Sequence, residues 1–208
     1  MEQTDLTNRK SALRREMRMR MKAFCADVQG RQKASSDAVR AFLSSEVYKN
    51  AETVLLFVPL PDEVDTSYII EKALSDGKRT AVPRTEGNGL MDFYYLDGKK
   101  PVSIQLSAGS YGILEPEKTA EKIDTLQFPP CAVIAVPGLA FSKDGNRLGR
   151  GKGYYDAYVR RIETAGGSQP SALAAVCFGF QVLESVPHGS FDLHLTHIAD
   201  DSGFTVCR

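Results

Sequence analysis

The chain has 208 residues, of which 42% are hydrophobic and 25% are charged, an ordinary composition for a globular protein. Lysine and arginine total 26 and so do aspartate and glutamate, which gives a net charge of zero and excludes a whole-protein polycation for nucleic acid. No apolar run approaches the roughly 18 residues of a membrane span, so no membrane partner is expected. The length suits a single domain over residues 1–208, with a sizeable core and a cleft.

Four cysteines occur, at Cys25, Cys131, Cys177 and Cys207, and none of them forms a C-x-x-C pair. We therefore expect free thiols in a reducing compartment, and a cytoplasmic protein. A mitochondrial address is the alternative, because residues 1–24 hold seven basic side chains. Acidic residues in the same stretch count against a transit peptide, and the lack of an apolar segment there counts against a secretory signal.

Two helices are expected at the start of the chain, over residues 7–25 and 31–46, with a break near Gly30. In the first, four apolar residues recur at helical spacing: Leu13, Met17, Met21 and Phe24. Three basic residues recur on another face: Lys10, Arg14 and Arg18. That basic face is either solvated or turned towards an anion bound nearby.

Short β-branched runs follow, and three of them end in valine before a proline. Thr53–Val58, Thr80–Val82 and Ala132–Val136 predict buried parallel strands that the following prolines terminate. Between the first two lies a predicted helix, Thr66–Ser75, with Thr66 as its N-cap. Together these elements predict a βαβ unit.

Further strands are expected at Met91–Leu96 and Ser171–Phe178, and a further helix at Tyr154–Ala165. Residues 97–127 predict short strands and turns, and the last 25 residues are expected to be irregular. No internal repeat or linker is evident. The sequence thus predicts the α/β class, as a single domain with a largely parallel sheet flanked by helices.

Residues 145–156 are the most informative stretch, because they lead from a predicted strand into a predicted helix. They contain three glycines and three cations: Gly149, Gly151, Gly153, Arg147, Arg150 and Lys152. Glycines allow positive φ angles and close approach of backbone to a ligand, and a helix N-terminus attracts anions. We therefore predict a glycine-rich phosphate loop between a strand and a helix, with a flexible surface turn as the alternative.

Two well-known phosphate motifs do not describe this loop. A Walker A loop needs glycine at position 146 and serine or threonine at 153, whereas the chain has Asn146 and Gly153. A dinucleotide-binding fingerprint fails because the third glycine comes one residue early.

Residues 145–156, together with Pro137-Gly138-Leu139-Ala140-Phe141 before them, closely resemble the 5-formyltetrahydrofolate cyclo-ligase family, also called methenyltetrahydrofolate synthetases. Lys10 and Arg14 match the family's Lys-x-x-x-Arg, and residues 62–66 match its acidic segment. Other matches fall in the expected order: Pro83-Arg84, Met91, Gly112-Ile113, Glu115-Pro116 and Gln181.

The chain departs from the family pattern at two places. Ser142 stands where the family usually has aspartate. The C-terminal His-Asp pair of the family corresponds here to His188 and Asp192, with the histidine displaced.

The resemblance implies conversion of 5-formyltetrahydrofolate to 5,10-methenyltetrahydrofolate, with ATP as co-substrate and Mg²⁺ as cofactor, releasing ADP and phosphate. Phosphorylation of the formyl oxygen would create a leaving group, and folate N10 would then close the ring. Such steps depend on positioning and charge neutralisation. The resemblance allows polyglutamylated forms of the substrate as well. We expect the protein to be a monomer.

The resemblance also implies residue roles. Arg150 and Lys152 would be catalytic. ATP would be bound by Lys10, Arg14, Arg147, Leu148, Gly149, Arg150, Gly151, Lys152, Gly153, Tyr154 and Tyr155. The folate would be bound by Val58, Glu63, Met91, Arg150, Gly151, Lys152, Gly153 and Tyr154. Asp156 and Asp192 would hold the metal.

Three alternatives are weighed against this hypothesis. One is a phosphosugar isomerase or an acyl-CoA-type enzyme on a related scaffold, since fold does not fix function. Another is a non-catalytic folate- or nucleotide-binding relative. A zinc site at His188, His194 and His197 is disfavoured, because no cysteine joins them and a second histidine pair is missing.

Overall fold

Three helices precede a mixed series of strands and helices in the computed structural model, which describes residues 2–87, 89–109 and 112–208. The helices are α1 Glu2–Phe24, α2 Val28–Ser44, α3 Glu46–Asn50, α4 Ser67–Ser75 and α5 Tyr154–Ala165. The strands are β1 Thr53–Leu55, β2 Arg79–Gly87, β3 Leu90–Tyr95, β4 Leu106–Ala108, β5 Leu114–Pro116, β6 Ala132–Val136, β7 Ala140–Ser142, β8 Arg147–Leu148, β9 Ala172–Val176, β10 Val182–Leu183, β11 His197–Asp200 and β12 Gly203–Val206.

Seven of these strands form a central sheet in the order β12-β11-β9-β6-β1-β2-β3. The five inner strands pair in parallel, and the two edge strands are antiparallel to their neighbours. This confirms the predicted α/β class with a largely parallel sheet. Small two- and three-stranded sheets lie beside it, formed by β4-β5 and by β10-β7-β8.

Helices cover both faces of the sheet, which explains why its inner strands are continuous apolar runs. All five residues of β6 are buried. On one face, Phe42 of α2 and Ile69 of α4 belong to a core cluster with the sheet. On the other face, Tyr158 and Ile162 of α5 belong to a second cluster that includes Phe93 of β3.

The two elements beside the glycine-rich loop have the predicted bounds. Strand Ala132–Val136 and helix Tyr154–Ala165 are both confirmed, and the helix ends at Gly166 with a φ of +71°. The N-terminal helices start earlier than predicted. Gly30 lies inside α2 and not at a break, because Asp27 accepts a hydrogen bond from the Gly30 N–H at 3.0 Å and so caps the helix there.

Proline does not terminate β2, contrary to the prediction. The strand continues through Pro83, which lies opposite Phe93 of the antiparallel neighbour β3. On its other side β2 pairs with β1 only as far as Ala81. Beyond that point no described strand pairs with this edge of β2, so the missing proline N–H disrupts no ladder there. The first strand, in turn, stops at Leu55, earlier than the predicted Val58.

Three further predictions are met only in part. The last 25 residues are irregular as far as residue 196, but after that β11 and β12 extend the sheet beside β9. Thr66 occupies the predicted N-cap position of α4, but its side chain does not cap the helix, since its hydroxyl donates to the Phe57 carbonyl at 2.6 Å. Strand Ser171–Phe178 is present in the shorter form Ala172–Val176. In the described part of the chain, no helix is long and apolar enough to cross a membrane.

Candidate functional site

A cavity of about 510 Å³ lies at the carboxyl ends of the parallel strands, where ligands bind in open α/β sheets. Phe57 and Val58 follow β1 into its wall, and Pro137 and Gly138 follow β6. Every residue to which the sequence analysis assigned a role lines this cavity: Lys10, Arg14, Val58, Glu63, Met91, all residues from Arg147 to Asp156, and Asp192. The fold therefore brings together side chains from widely separated parts of the chain.

The glycine-rich loop forms one wall of the cavity and leads into α5. Gly151 and Gly153 have φ angles of +106° and +71°, which residues with a side chain rarely adopt. Gly149 is not in that conformation, contrary to the expectation. Glycine at this position instead leaves room for a neighbouring side chain, because a Cβ there would lie 2.9 Å from Nη1 of Arg147.

Arg147 and Asp156 form a partly buried ion pair beneath this loop. Nη2 of Arg147 donates to both carboxylate oxygens of Asp156 at 2.8 Å, and Nη1 donates to the Pro137 carbonyl at 3.2 Å. The Leu193 N–H also donates to Asp156, at 2.8 Å. Burial acts to raise the pKa of Asp156, but the charge of Arg147 and these hydrogen bonds outweigh it and lower the pKa below its ordinary value. Asp156 is therefore ionised at neutral pH.

Helix α1 brings two cations to the wall of the cavity, and one of them contacts the glycine-rich loop. Lys10 forms an ion pair with Asp192, whose carboxylate also accepts a hydrogen bond from the Gly189 N–H at 2.6 Å. Nε of Arg14 donates to the Gly149 carbonyl at 2.9 Å. Partial burial, together with the charge of Arg18, lowers the pKa of Arg14, which stays a cation near neutral pH.

Arg150 faces two acidic residues from the turn after β1. Its Nε lies 3.1 Å from Glu63 Oε1, and its Nη2 lies 2.7 Å from Asp62 Oδ1. Burial raises the pKa of the Glu63 carboxyl, and the positive charge of Arg150 opposes that rise. Burial acts to lower the pKa of Arg150, but the two carboxylates more than offset this and raise it. Asp62 lies in the matched acidic segment but was predicted to have no role, although its position next to Glu63 was the available signal.

The remaining predicted residues define the mouth and the floor of the cavity. Lys152 is exposed at the mouth, and Tyr154 is half-buried. Tyr155 is buried, and its hydroxyl has no hydrogen-bond partner among the residues that the structure describes. Burial raises the pKa of Tyr155, so this hydroxyl stays protonated and can donate to a ligand.

Two polar lining residues, Thr85 and Glu115, were not predicted. The buried Glu115 carboxylate accepts hydrogen bonds from the Thr85 N–H at 3.2 Å and from the Thr85 hydroxyl at 2.6 Å. Thr85 lies directly opposite Met91 across the β2–β3 hairpin, so a known hairpin register would have identified it. For Glu115, the only signal in the sequence was that the Glu115-Pro116 pair matches the family pattern.

Ser142 and the displaced His188, where the chain departs from the family pattern, are not among the residues that line the cavity. Ser142 is buried in β7, and its hydroxyl donates to the Asp144 carboxylate. This hydrogen bond lowers the pKa of Asp144. His188 does not line the cavity, whereas Asp192 does. The difference at position 142 therefore lies in a buried strand and does not alter the cavity wall.

The two carboxylates predicted to bind metal fit Mg²⁺ as part of a larger ligand set. Asp156 and Asp192 both line the cavity, and both accept hydrogen bonds from cationic side chains. In the described ranges, no group of three or more histidine, cysteine, aspartate or glutamate side chains could hold a metal on its own. Mg²⁺ is commonly held by one or two carboxylates together with substrate phosphates and water. The donor set therefore suits an ion that binds with a polyphosphate.

Comparison with known proteins identifies relatives along nearly the whole chain. The model of the 5-formyltetrahydrofolate cyclo-ligase family matches residues 6–200. A 5-formyltetrahydrofolate cyclo-ligase from Mus musculus is 30% identical over 190 residues, covering 91% of this chain and 92% of the relative. The NMR structure of 5,10-methenyltetrahydrofolate synthetase from Aquifex aeolicus superposes with a TM-score of 0.76 at 28% identity, covering 96% of this chain and 93% of the other.

A second solved structure supports the fold alone. The 5,10-methenyltetrahydrofolate synthetase from Mycoplasma pneumoniae has a TM-score of 0.65 at 20% identity, covering 92% of this chain and 98% of the other.

Proposed function

The chain belongs to the 5-formyltetrahydrofolate cyclo-ligase family, and from this premise we propose that its cavity converts 5-formyltetrahydrofolate to 5,10-methenyltetrahydrofolate with ATP and Mg²⁺. The observation that carries the proposal is the convergence of the motif residues. Side chains from α1, from the turn after β1, from β3, from the glycine-rich loop and from the segment before β11 line one cavity.

The chemical difficulty of the reaction lies in the formyl oxygen. The formyl group is an amide, and its oxygen is a poor leaving group until it is phosphorylated. Transfer of the γ-phosphoryl group of ATP to that oxygen makes it a phosphate leaving group. Folate N10 then attacks the formyl carbon and loses its proton to solvent, the C–O bond breaks, and phosphate leaves as the five-membered ring closes. Positioning and charge neutralisation are sufficient for both steps.

The cations of the cavity suit the phosphates of ATP. Lys10 and Arg14 approach from α1, while Arg150 and Lys152 belong to the loop that precedes α5. We assign Arg150 and Lys152 the catalytic role, because they can neutralise charge that moves during phosphoryl transfer. The N-terminus of α5 adds favourable backbone N–H groups and helix-dipole charge at the same place.

Asp156 and Asp192 would hold Mg²⁺, which when bound neutralises phosphate charge and orients the phosphates. Each aspartate pairs with a cation in the ligand-free chain, Arg147 and Lys10 respectively. ATP offers those cations phosphate oxygens in exchange. The carboxylates thereby become available to the metal at the moment when the phosphates arrive.

The folate is assigned to the side of the cavity that carries Glu63. Pterin N–H groups suit a carboxylate acceptor, and the nearby apolar lining residues suit its flat ring. Val58 and Met91 are two of those apolar residues. A non-catalytic binding module is not favoured, because phosphate-binding cations, candidate metal carboxylates and a folate acceptor all remain together.

Three finer points belong to the same proposal. We propose one domain over residues 1–208, because the sheet combines strands from residue 53 to residue 206. We propose a cytoplasmic, monomeric protein whose four cysteines are free thiols. Two of the basic residues of α1, Lys10 and Arg14, line the cavity, so a role other than a mitochondrial address accounts for their charge.

The reaction is tested by near-ultraviolet absorbance of the purified chain with 5-formyltetrahydrofolate, Mg²⁺ and ATP. The methenyl chromophore should grow with ATP and should not grow when a non-hydrolysable ATP analogue replaces it. Growth that is independent of ATP would contradict phosphoryl transfer. No growth, with both ligands binding in calorimetry, would favour the non-catalytic relative.

A further inference from the structure

Arg150 is shared by two neighbouring carboxylates. Nε donates to Glu63 and Nη2 donates to Asp62, so the two acidic residues hold two different parts of one guanidinium group. Both acidic residues lie in the turn after β1, 87 and 88 positions before Arg150 in the chain. The proposed function gives roles to Glu63 and Arg150 but none to Asp62.

Both carboxylate oxygens of Glu63 are engaged in the ligand-free chain. Oε1 accepts from Arg150 at 3.1 Å, and Oε2 accepts from the Leu60 N–H at 3.0 Å. The side chain is 8% exposed, so the protein leaves little space beside these donors, and a ligand that binds here takes the place of one of them. The Leu60 N–H belongs to the backbone of the same turn, whereas Arg150 has a flexible side chain. A folate that binds Glu63 therefore replaces Arg150.

Asp62 differs from Glu63 in two respects. Its side chain is 37% exposed, and it is not among the residues that line the cavity. A folate inside the cavity therefore leaves the contact of Asp62 with Nη2 of Arg150 intact. Because a free arginine side chain samples many rotamers, this contact decides where the guanidinium stays after Glu63 has released it.

We propose that Asp62 is a positioning residue that retains Arg150 at the cavity when the folate takes over Glu63, and that this exchange couples folate binding to ATP binding. The inference rests on the proposed function. Folate frees Nε of Arg150 for a phosphate oxygen, and ATP frees Glu63 for the folate. Thermodynamic linkage requires that each ligand raise the affinity of the other by the same factor.

Calorimetry on the full chain tests the coupling without turnover. The probes are 5-formyltetrahydrofolate and the β,γ-imido analogue of ATP with Mg²⁺, each titrated alone and with the other at saturation. For the natural chain we expect each ligand to tighten the other about ten-fold, within the usual range of coupling between sites. The factor should be the same in both orders of addition.

Three variants separate positioning from a general loss of structure. Asp62→Asn should reduce the coupling to less than about three-fold, while the affinity for the folate alone stays within about two-fold. Asp62→Glu keeps the charge and should restore most of the coupling. Glu71→Gln, which neutralises an exposed carboxylate on α4, should leave the coupling unchanged. Thermal melting confirms that the variants are folded.

The outcomes distinguish this inference from the proposed function. If Asp62→Asn kept the full coupling, or if Asp62→Glu failed to restore it, the positioning role would be wrong. If the natural chain bound both ligands independently, the coupling would be wrong while the proposed function stood. If it bound neither ligand, the proposed function would fail and the coupling with it.

Discussion

Nη2 of Arg147 lies 2.8 Å from both carboxylate oxygens of Asp156, and the arginine side chain is only 5% exposed. A guanidinium so far removed from water needs a negative partner, because an unpaired buried charge is costly. Asp156 therefore has a structural contribution in the ligand-free chain, in addition to the metal-binding role that we propose. The two contributions can be measured separately.

Asp156→Asn should destabilise the ligand-free chain by about 2–3 kcal/mol, because it leaves the Arg147 charge without its partner. Urea unfolding in the absence of ATP and Mg²⁺ measures this. Glu163→Gln, an exposed change on the same helix, is the matched control and should alter stability by no more than about 0.5 kcal/mol. Equal stability of Asp156→Asn and the natural chain would show that Arg147 does not depend on Asp156.

In kinetics, Asp156→Asn should also need more Mg²⁺ to reach half-maximal rate.

The same ion pair predicts a pH dependence of stability. The pKa of Asp156 is lowered in the folded chain, so its stabilising contribution is complete above the ordinary aspartate pKa of about 3.9. As the pH falls below that value, the unfolded chain binds the proton first and the contribution is lost. The stability difference between the natural chain and Asp156→Asn should therefore shrink as the pH falls from about 4 through the lowered pKa of Asp156. A difference that grew on acidification would contradict the assigned direction.

Lys152→Ala should raise the KM for ATP and lower kcat, because it removes a phosphate contact that strengthens during transfer. We expect kcat/KM for ATP to fall by about 100-fold, within the range of a lost electrostatic contact in an active site. Because Lys152 is exposed, the free energy of unfolding should change by less than about 0.5 kcal/mol. Lys99→Ala, at an exposed position outside the cavity lining, is the control. Unchanged kinetics for Lys152→Ala would remove its catalytic role.

Glu63→Gln should weaken folate binding far more than ATP binding, because an amide cannot replace the charged acceptor for pterin N–H groups. We expect about a 10- to 100-fold rise in the folate Kd, as for the loss of a charged hydrogen bond. ATP binding should stay equal or become tighter, since Arg150 loses a competing partner. Fluorescence or calorimetric titration with each ligand measures both effects. Equal losses for both ligands would mean that Glu63 is structural.

Sequence reasoning succeeded where the determining pattern is local. The β-branched run of Ala132–Val136 and the glycines that flank Tyr154–Ala165 each lie within a short stretch, and both elements have the predicted bounds. The strand His197–Asp200 was missed because its stability comes from β9 and β12 on either side of it. Strand β2 continued through Pro83 because of where its neighbour β1 ends, which only the register shows.

The candidate site shows the same division between local and distant information. The family motif named the residues, and the structure brings them into one cavity, but their partners were not predictable. Lys10 pairs with Asp192, 182 positions away, and Arg150 pairs with Asp62, 88 positions away. Such pairs depend on how the sheet and α1 bring together segments that no sequence spacing relates. Gly149 differs from these pairs, because its prediction failed at short range: the position needs space beside Arg147 and not a positive φ angle.

The contact of α1 with both the loop and the C-terminal segment has a consequence for synthesis on the ribosome. Lys10 is made 182 residues before its partner Asp192, and Arg14 is made 135 residues before Gly149, whose carbonyl accepts its hydrogen bond. Contacts of such sequence separation form slowly, because the intervening chain must first be ordered. A nascent chain that ends before residue 192 therefore carries a basic helix that lacks part of its docking site. Full nucleotide-binding ability should arise only after residue 192 has been made, and the growing chain should be most in need of chaperones until then.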